Sequence, residues 1–115
     1  MSSRTKQIPA KNRRIVEERC GGLCEGCGKR EATELHHRKY RSRGGGNEVT
    51  NLIYLCGWGN HTGCHGTAHS TEGHELGWSV NSWADPAFTP VLWRGGMSWL
   101  TSDGRVEPTG FEPSF

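Results

Sequence analysis

Four of the five cysteines fall as Cys24-x-x-Cys27, Cys56 and Cys64, one close pair followed by two single thiols. No other feature limits the possible folds so sharply. Only 32% of the 115 residues are hydrophobic and 17 are glycine, so the apolar core must be small. A thin core needs staples, either disulfides or metals. The opening stretch "MSSRTKQIPAKNRR" is basic and has no apolar run, so no secretory leader is expected. Nor is any segment long and apolar enough to cross a bilayer. The expected compartment is a reducing cytoplasm, where cysteines bind metal more often than they pair. Four thiolates in this arrangement suit a closed, tetrahedral, structural zinc site. "CGGLCEGC" also matches the CxxxCxxC spacing of iron–sulfur radical enzymes, but those need a barrel of roughly 200 residues or more. Cys20 is therefore expected to be a free thiol.

The chain reads as three parts: a disordered basic tail over 1–9, a core over 10–75, and a C-terminal β-meander over 76–115. "AKNRRIVEERC", 10–20, predicts a short helix with Ile15 and Val16 on its apolar side, stopped by Gly21-Gly22. "LCEGCGKR" predicts a tight knuckle. "ATELHH" and "NLIYLC" predict the two strands of a hairpin, joined by the polar, glycine-rich loop "RKYRSRGGGNEV". "CHGTAHSTE" has helical spacing, although Gly66 weakens it. Beyond Gly73, short alternating or aromatic runs between Pro and Gly signals predict the meander, with "SDGR" as its last turn. All five tryptophans lie between 58 and 99. They are expected to form the core of the small sheet rather than a stacking surface.

Adjacent His36 and His37 on a strand point to opposite faces, so they must serve different ends. His65 and His69 stand four apart and share one side of a helix, a spacing that grips transition metals. With His36 added, three imidazoles and open positions define a catalytic rather than a structural metal. His37, facing away, is then free to act as a general base. His61 and His74 have no such geometry.

Charge divides the chain. Residues 1–43 carry 12 Lys/Arg against 5 Asp/Glu, and the remainder carries 2 against 7. A basic half of this kind suggests a polyanionic partner.

The run Cys24-x-x-Cys27, Glu34-Leu35-His36-His37, Gly44-Gly45, Asn51-Leu52, Leu55-Cys56, Cys64-His65 and His69 resembles the HNH nuclease family, in particular small zinc-ribboned HNH proteins of bacteriophages and their hosts. The resemblance covers roughly residues 13–70, and the C-terminal strands are similar, more weakly, to those of HNH proteins from phages of actinobacteria. It implies an α+β fold: a small ββα-metal (HNH / His-Me finger) core with a zinc knuckle and a short C-terminal β-meander. It also implies that His37 is the general base, and that His36, His65 and His69 hold a catalytic divalent metal (Mg2+, Mn2+, Ni2+ or Zn2+). Asn51 matches the family's central asparagine, which holds the loop and orients the base. Because the gap from Cys56 to Cys64 is long, His61 stands as an alternative zinc ligand.

The reading that follows is a metal-dependent endonuclease or nicking enzyme of double-stranded DNA, with weak sequence preference and 5′-phosphate products. Arg38, Lys39, Arg41 and Arg43 are expected to anchor flanking phosphates. The cytoplasm would be that of a bacterial host, and phage terminase subunits are the partners the resemblance suggests. A zinc-stabilised DNA-binding module is the rival class, but it would need none of the histidine set.

Overall fold

The computed structural model describes residues 7–59 and 61–110. Helix α1 spans Ala10–Cys20, follows Pro9 and ends at Gly21, whose left-handed φ of 59° lets its N–H reach the Glu17 carbonyl at 2.9 Å. The knuckle closes through Cys24 N–H to the Arg30 carbonyl at 2.8 Å and Gly28 N–H to the Cys24 carbonyl at 2.9 Å. Gly26 has to be glycine: a Cβ there would meet the Trp78 ring at 2.8 Å.

Strands β1 (Glu34–His37) and β2 (Leu52–Leu55) pair antiparallel, with Glu34 opposite Leu55, Leu35 opposite Tyr54, His36 opposite Ile53 and His37 opposite Leu52. Residues directly opposite share a face, and each face has its own core. Ile53 and Leu55 pack with Cys24, Cys56, Ala68, Leu76, Trp78, Val91 and Leu100. Leu52 packs with Val16 of α1 and with Val49, flanked by Ile8, Ile15, Leu35 and Tyr54. The hairpin is thus the wall between two small cores, and His36 and His37 stand on opposite sides of it.

The loop between the strands holds two single 3-10 turns, Arg41–Arg43 and Val49–Asn51. After β2, the expected single helix is two pieces, α2 (Gly63–Ala68) and α3 (Thr71–Glu75). The break comes at His69 and Ser70. Ser70 Oγ donates back to the Thr67 carbonyl at 2.6 Å, and Gly73 lies so close to the Ala68 carbonyl that a Cβ would stand 2.3 Å from it.

The meander, β3 (Val91–Trp93), β4 (Gly96–Leu100) and β5 (Val106–Pro108), is a three-stranded antiparallel sheet in that order. It begins later than its composition predicts. Residues 77–90 form no strand; Pro86–Phe88 make a 3-10 turn, and the carbonyls of Gly77, Pro86 and Thr89 accept from Arg38. The tryptophans also depart from expectation. Trp78 is buried, its Nε1 donating to the Leu92 carbonyl at 2.8 Å, but Trp58 and Trp83 are 68% and 83% exposed. Both sit on loops outside the sheet.

Residues 1–6 of the expected disordered tail lie outside the described residues. Residues 7–9 are docked: Ile8 packs on the Val16 core and the Gln7 carbonyl accepts from Asn47 Nδ2 at 3.1 Å.

Candidate metal centres and active site

The knuckle supplies Cys24 and Cys27, the end of β2 supplies Cys56, and α2 supplies Cys64. One donor atom from each lies within 4.8 Å of the others, and no disulfide forms among them. Backbone N–H groups point at three of the sulfurs: Gly26 to Cys24 Sγ at 3.3 Å, Lys29 to Cys27 Sγ at 3.5 Å and Cys64 to Cys56 Sγ at 3.4 Å. Such donors favour thiolate over thiol. The Cys64 thiol beside Cys24 draws the Cys24 pKa down to about 4, while the same contact pushes that of Cys64 up. The first charge is therefore easily held and further ones repel, which a divalent cation would relieve. With zinc–sulfur bonds of about 2.3 Å, tetrahedral sulfurs stand a little under 4 Å apart, close to the 4.0 Å between Cys27 and Cys56. The donor set fits zinc. Cys20 is buried outside this group, with its Sγ 3.4 Å from the Glu17 carbonyl. His61 is exposed and belongs to neither cluster.

His36, His65 and His69 form the second cluster, again with one donor atom each within 4.8 Å. Hydrogen bonds of the other ring nitrogens fix the tautomers of His36 and His65. His36 Nε2 lies 2.8 Å from the Trp78 carbonyl, which can only accept, so Nε2 carries the proton and Nδ1 the lone pair. His65 Nδ1 lies 3.1 Å from the Glu34 carboxylate, leaving its Nε2 free. His69 Nδ1 lies 3.1 Å from the Tyr40 hydroxyl, which can donate or accept, and its Nε2 lies 3.2 Å from His65 Nε2. Each ring thus turns one nitrogen toward the cluster while the other is braced from behind, the arrangement usual for metal-binding histidine. Burial, helped by the neighbouring imidazoles, pulls the His36 pKa down to about 3, which keeps it neutral as a ligand must be. His36 is buried while His69 is exposed, so the cluster opens to solvent on one side.

His37, on the other face, places Nε2 2.8 Å from Asn47 Oδ1. Asn47 Nδ2 donates to the Gln7 carbonyl, which fixes the amide with its oxygen toward the ring. Nε2 therefore carries the proton and Nδ1 is the basic nitrogen. Arg41 Nε approaches the same Nε2 at 3.4 Å, too far to compete with the shorter bond. Burial lowers the His37 pKa.

Asn51 is wholly buried and clamps the loop. Its Oδ1 accepts from Lys39 N–H at 2.7 Å, and its Nδ2 donates to the carbonyls of Lys39 at 3.1 Å and Gly46 at 2.9 Å. It makes no bond to the His37 ring; that contact belongs to Asn47, so Asn51 is a positioning residue.

Arg38 corrects the expected phosphate anchors. It is 0% exposed, and it donates to the carbonyls of Gly77, Thr50, Pro86 and Thr89 at 2.8–3.1 Å. Burial lowers its pKa to about 9, still cationic at neutral pH. Alternation on β1 turns its neighbour His37 to one core, and Arg38 is then enclosed where the 77–90 segment crosses. No phosphate can reach it. Arg41 and Arg43 are exposed and Lys39 is half-buried, so these three remain available.

The sequence reading missed Glu34, Tyr40, Asn47 and the Trp78 carbonyl. Glu34 was findable, since it lies two residues before His36 on the same strand face. The others depend on loop paths that leave no periodic signal.

The geometry defines a small α+β domain built around two clusters of candidate metal ligands, with His37 on the opposite face of the hairpin from His36. Residues 24–71 match the family model of HNH endonuclease. No curated protein and no solved structure matches the chain. Among the described residues, no helix is long and apolar enough to cross a membrane.

Proposed function

We propose that this protein is a metal-dependent DNA endonuclease or nicking enzyme that hydrolyses phosphodiester bonds with weak sequence preference. The nuclease class follows from the HNH domain over residues 24–71. The observation that carries the finer reading is the convergence of His36, His65 and His69, each held from behind by a hydrogen bond so that its other nitrogen faces the cluster. A divalent ion held there would stabilise charge developing on the phosphate and the leaving oxygen. His37 takes a proton from water at Nδ1 as the water oxygen attacks phosphorus in line, and the P–O3′ bond breaks, the leaving oxygen taking its proton from solvent water. The products are a 5′-phosphate and a 3′-hydroxyl. Lys39, Arg41 and Arg43 hold flanking phosphates.

In this proposal the hairpin and α2 form the ββα-metal core, residues 10–75 are the nuclease unit, and 76–115 is the meander packed on it. Zinc in the four-cysteine site holds the knuckle to β2 and α2. A cytoplasmic location in a bacterial host, and service in phage DNA packaging beside terminase subunits, rest on the resemblance to small phage proteins alone.

Nicking of supercoiled plasmid in magnesium, manganese or nickel, with and without chelator, tests the reading. Relaxation with at least one ion, abolished by chelator, is expected. DNA that is bound but uncut with every ion would transfer the protein to the rival class of zinc-stabilised binding modules.

A further inference from the structure

Beside the His37 loop lies a cavity of about 540 Å³, of whose lining the reaction above uses Lys39 alone. Its lining includes Lys39, Gly46, Glu48, Thr50, Trp83 and Asp85. Trp83 is 83% exposed and among the described residues its indole makes no hydrogen bond or ring contact, an unusual position for the largest apolar side chain. The Thr50 side chain lines the cavity, and among the described residues its hydroxyl makes no hydrogen bond. Nor, among these residues, do the Lys39 ammonium and the Glu48 carboxylate make an ion pair. The cavity therefore offers a bare aromatic face, a hydroxyl, an unpaired acid and an unpaired base together.

We propose that this cavity takes an unpaired nucleobase of the DNA substrate, stacked on Trp83, next to the phosphate to be cut. This deepens the nuclease reading and rests on it. The place fits: Gly46 precedes Asn47, the partner of the His37 ring, and Glu48 is near enough for its charge to act on His37. The chemistry selects a base over a phosphate. Two carboxylates, Glu48 and Asp85, line the cavity and would repel a phosphate within it, whereas a base is neutral and needs a π-face plus hydrogen-bonding groups. Lys39 has its backbone fixed at both N–H and carbonyl by Asn51, and it stands between the cavity and the basic loop. There it meets the phosphate attached to the inserted base. The Glu48 carboxylate accepts from an exocyclic amine, which cytosine has and thymine lacks. A base inside a duplex must first be unstacked and unpaired, so substrates with a nucleotide already unpaired are favoured.

The test measures binding of the full-length, zinc-loaded His37→Ala protein to a plain duplex, and to the same duplex with one unpaired cytosine or one unpaired thymine. Wild-type cleavage of the plain duplex is measured alongside. Unpaired cytosine is expected to tighten binding about tenfold, the scale of one base–aromatic stack. Adding Trp83→Ala should erase that gain without changing plain-duplex affinity, and adding Glu48→Gln should remove the preference for cytosine over thymine. If wild type cleaves the plain duplex but the bulge gives no gain, or the gain survives Trp83→Ala, the cavity assignment is overturned and the nuclease reading stands. Equal gains for cytosine and thymine in the Glu48 parent would overturn the role given to Glu48. If no DNA is bound or cut, the nuclease reading fails and this one fails with it.

Discussion

The Nε2 atoms of His65 and His69 stand 3.2 Å apart, and their Nδ1 atoms are held from behind by the Glu34 carboxylate and the Tyr40 hydroxyl. At that distance the two nitrogens either share a proton or serve a cation beside them. This pair concentrates the case for a metal, and it can be tested from behind the rings. Glu34→Gln keeps the shape but removes the charge that braces His65. Loss of such a partner costs roughly 10- to 100-fold in metal affinity, so competition titration with a chromophoric chelator should show a shift of that size. An unchanged affinity would mean that His65 is no ligand.

His37→Ala should abolish plasmid nicking while leaving metal content and DNA affinity near those of wild type, because a general base acts in the transition state. Asn47→Ala should leave a weaker defect of the same kind, since the ring loses only the partner that fixes its tautomer. Rescue by Asn47→Asp, which restores the acceptor, would separate this role from a structural one. Cleavage by His37→Ala within a few-fold of wild type would dismiss the base assignment.

The two clusters should differ in what their loss does. Cys27→Ser or Cys56→Ser should give unfolded or insoluble protein, because binding at a closed thiolate site is itself folding energy. His69→Ala should give folded, inactive protein, since His69 lies at the exposed end of its cluster. Circular dichroism with zinc analysis distinguishes them. Equal melting of both classes would refute the division.

Arg38 and its loop neighbours should also part company. Arg38→Met strands four buried carbonyls, at about 1 kcal/mol or more apiece, so a loss of roughly 3–5 kcal/mol in stability is expected by urea denaturation. Arg41→Ala with Arg43→Ala should leave stability unchanged. The double variant should instead flatten the salt dependence of DNA binding by up to about two units of log–log slope, equally on unrelated duplexes. A stable Arg38→Met protein with weakened DNA binding would reverse the correction made here.

Local spacing was enough to read much of this chain. Helix Ala10–Cys20 followed from its Gly-Gly stop, and the hairpin followed from two apolar runs around a glycine-rich loop. The opposite facing of His36 and His37 followed from strand alternation alone. Each depends on neighbours within a few residues, which a sequence displays directly.

The errors arose where distant segments meet. Arg38 looks like any loop arginine until residues 77–90 cross it and offer their carbonyls. Trp78 and Trp83 are five residues apart on similar ground, yet one is buried against Gly26 and the other is left in solvent. Asn47 and Asn51 are both loop asparagines, yet Asn47, held by Gln7 and Asn12, meets the His37 ring, while Asn51 is spent on Lys39 and Gly46. The sequence by itself determined the ligand types, their spacing and the face each takes on its own element, because periodicity and side-chain chemistry are local. The tertiary structure alone decided which nitrogen of each histidine faces the cluster, since that is set by the partner behind the ring. Those partners, Trp78, Glu34 and Tyr40, come from parts of the chain that only folding brings together.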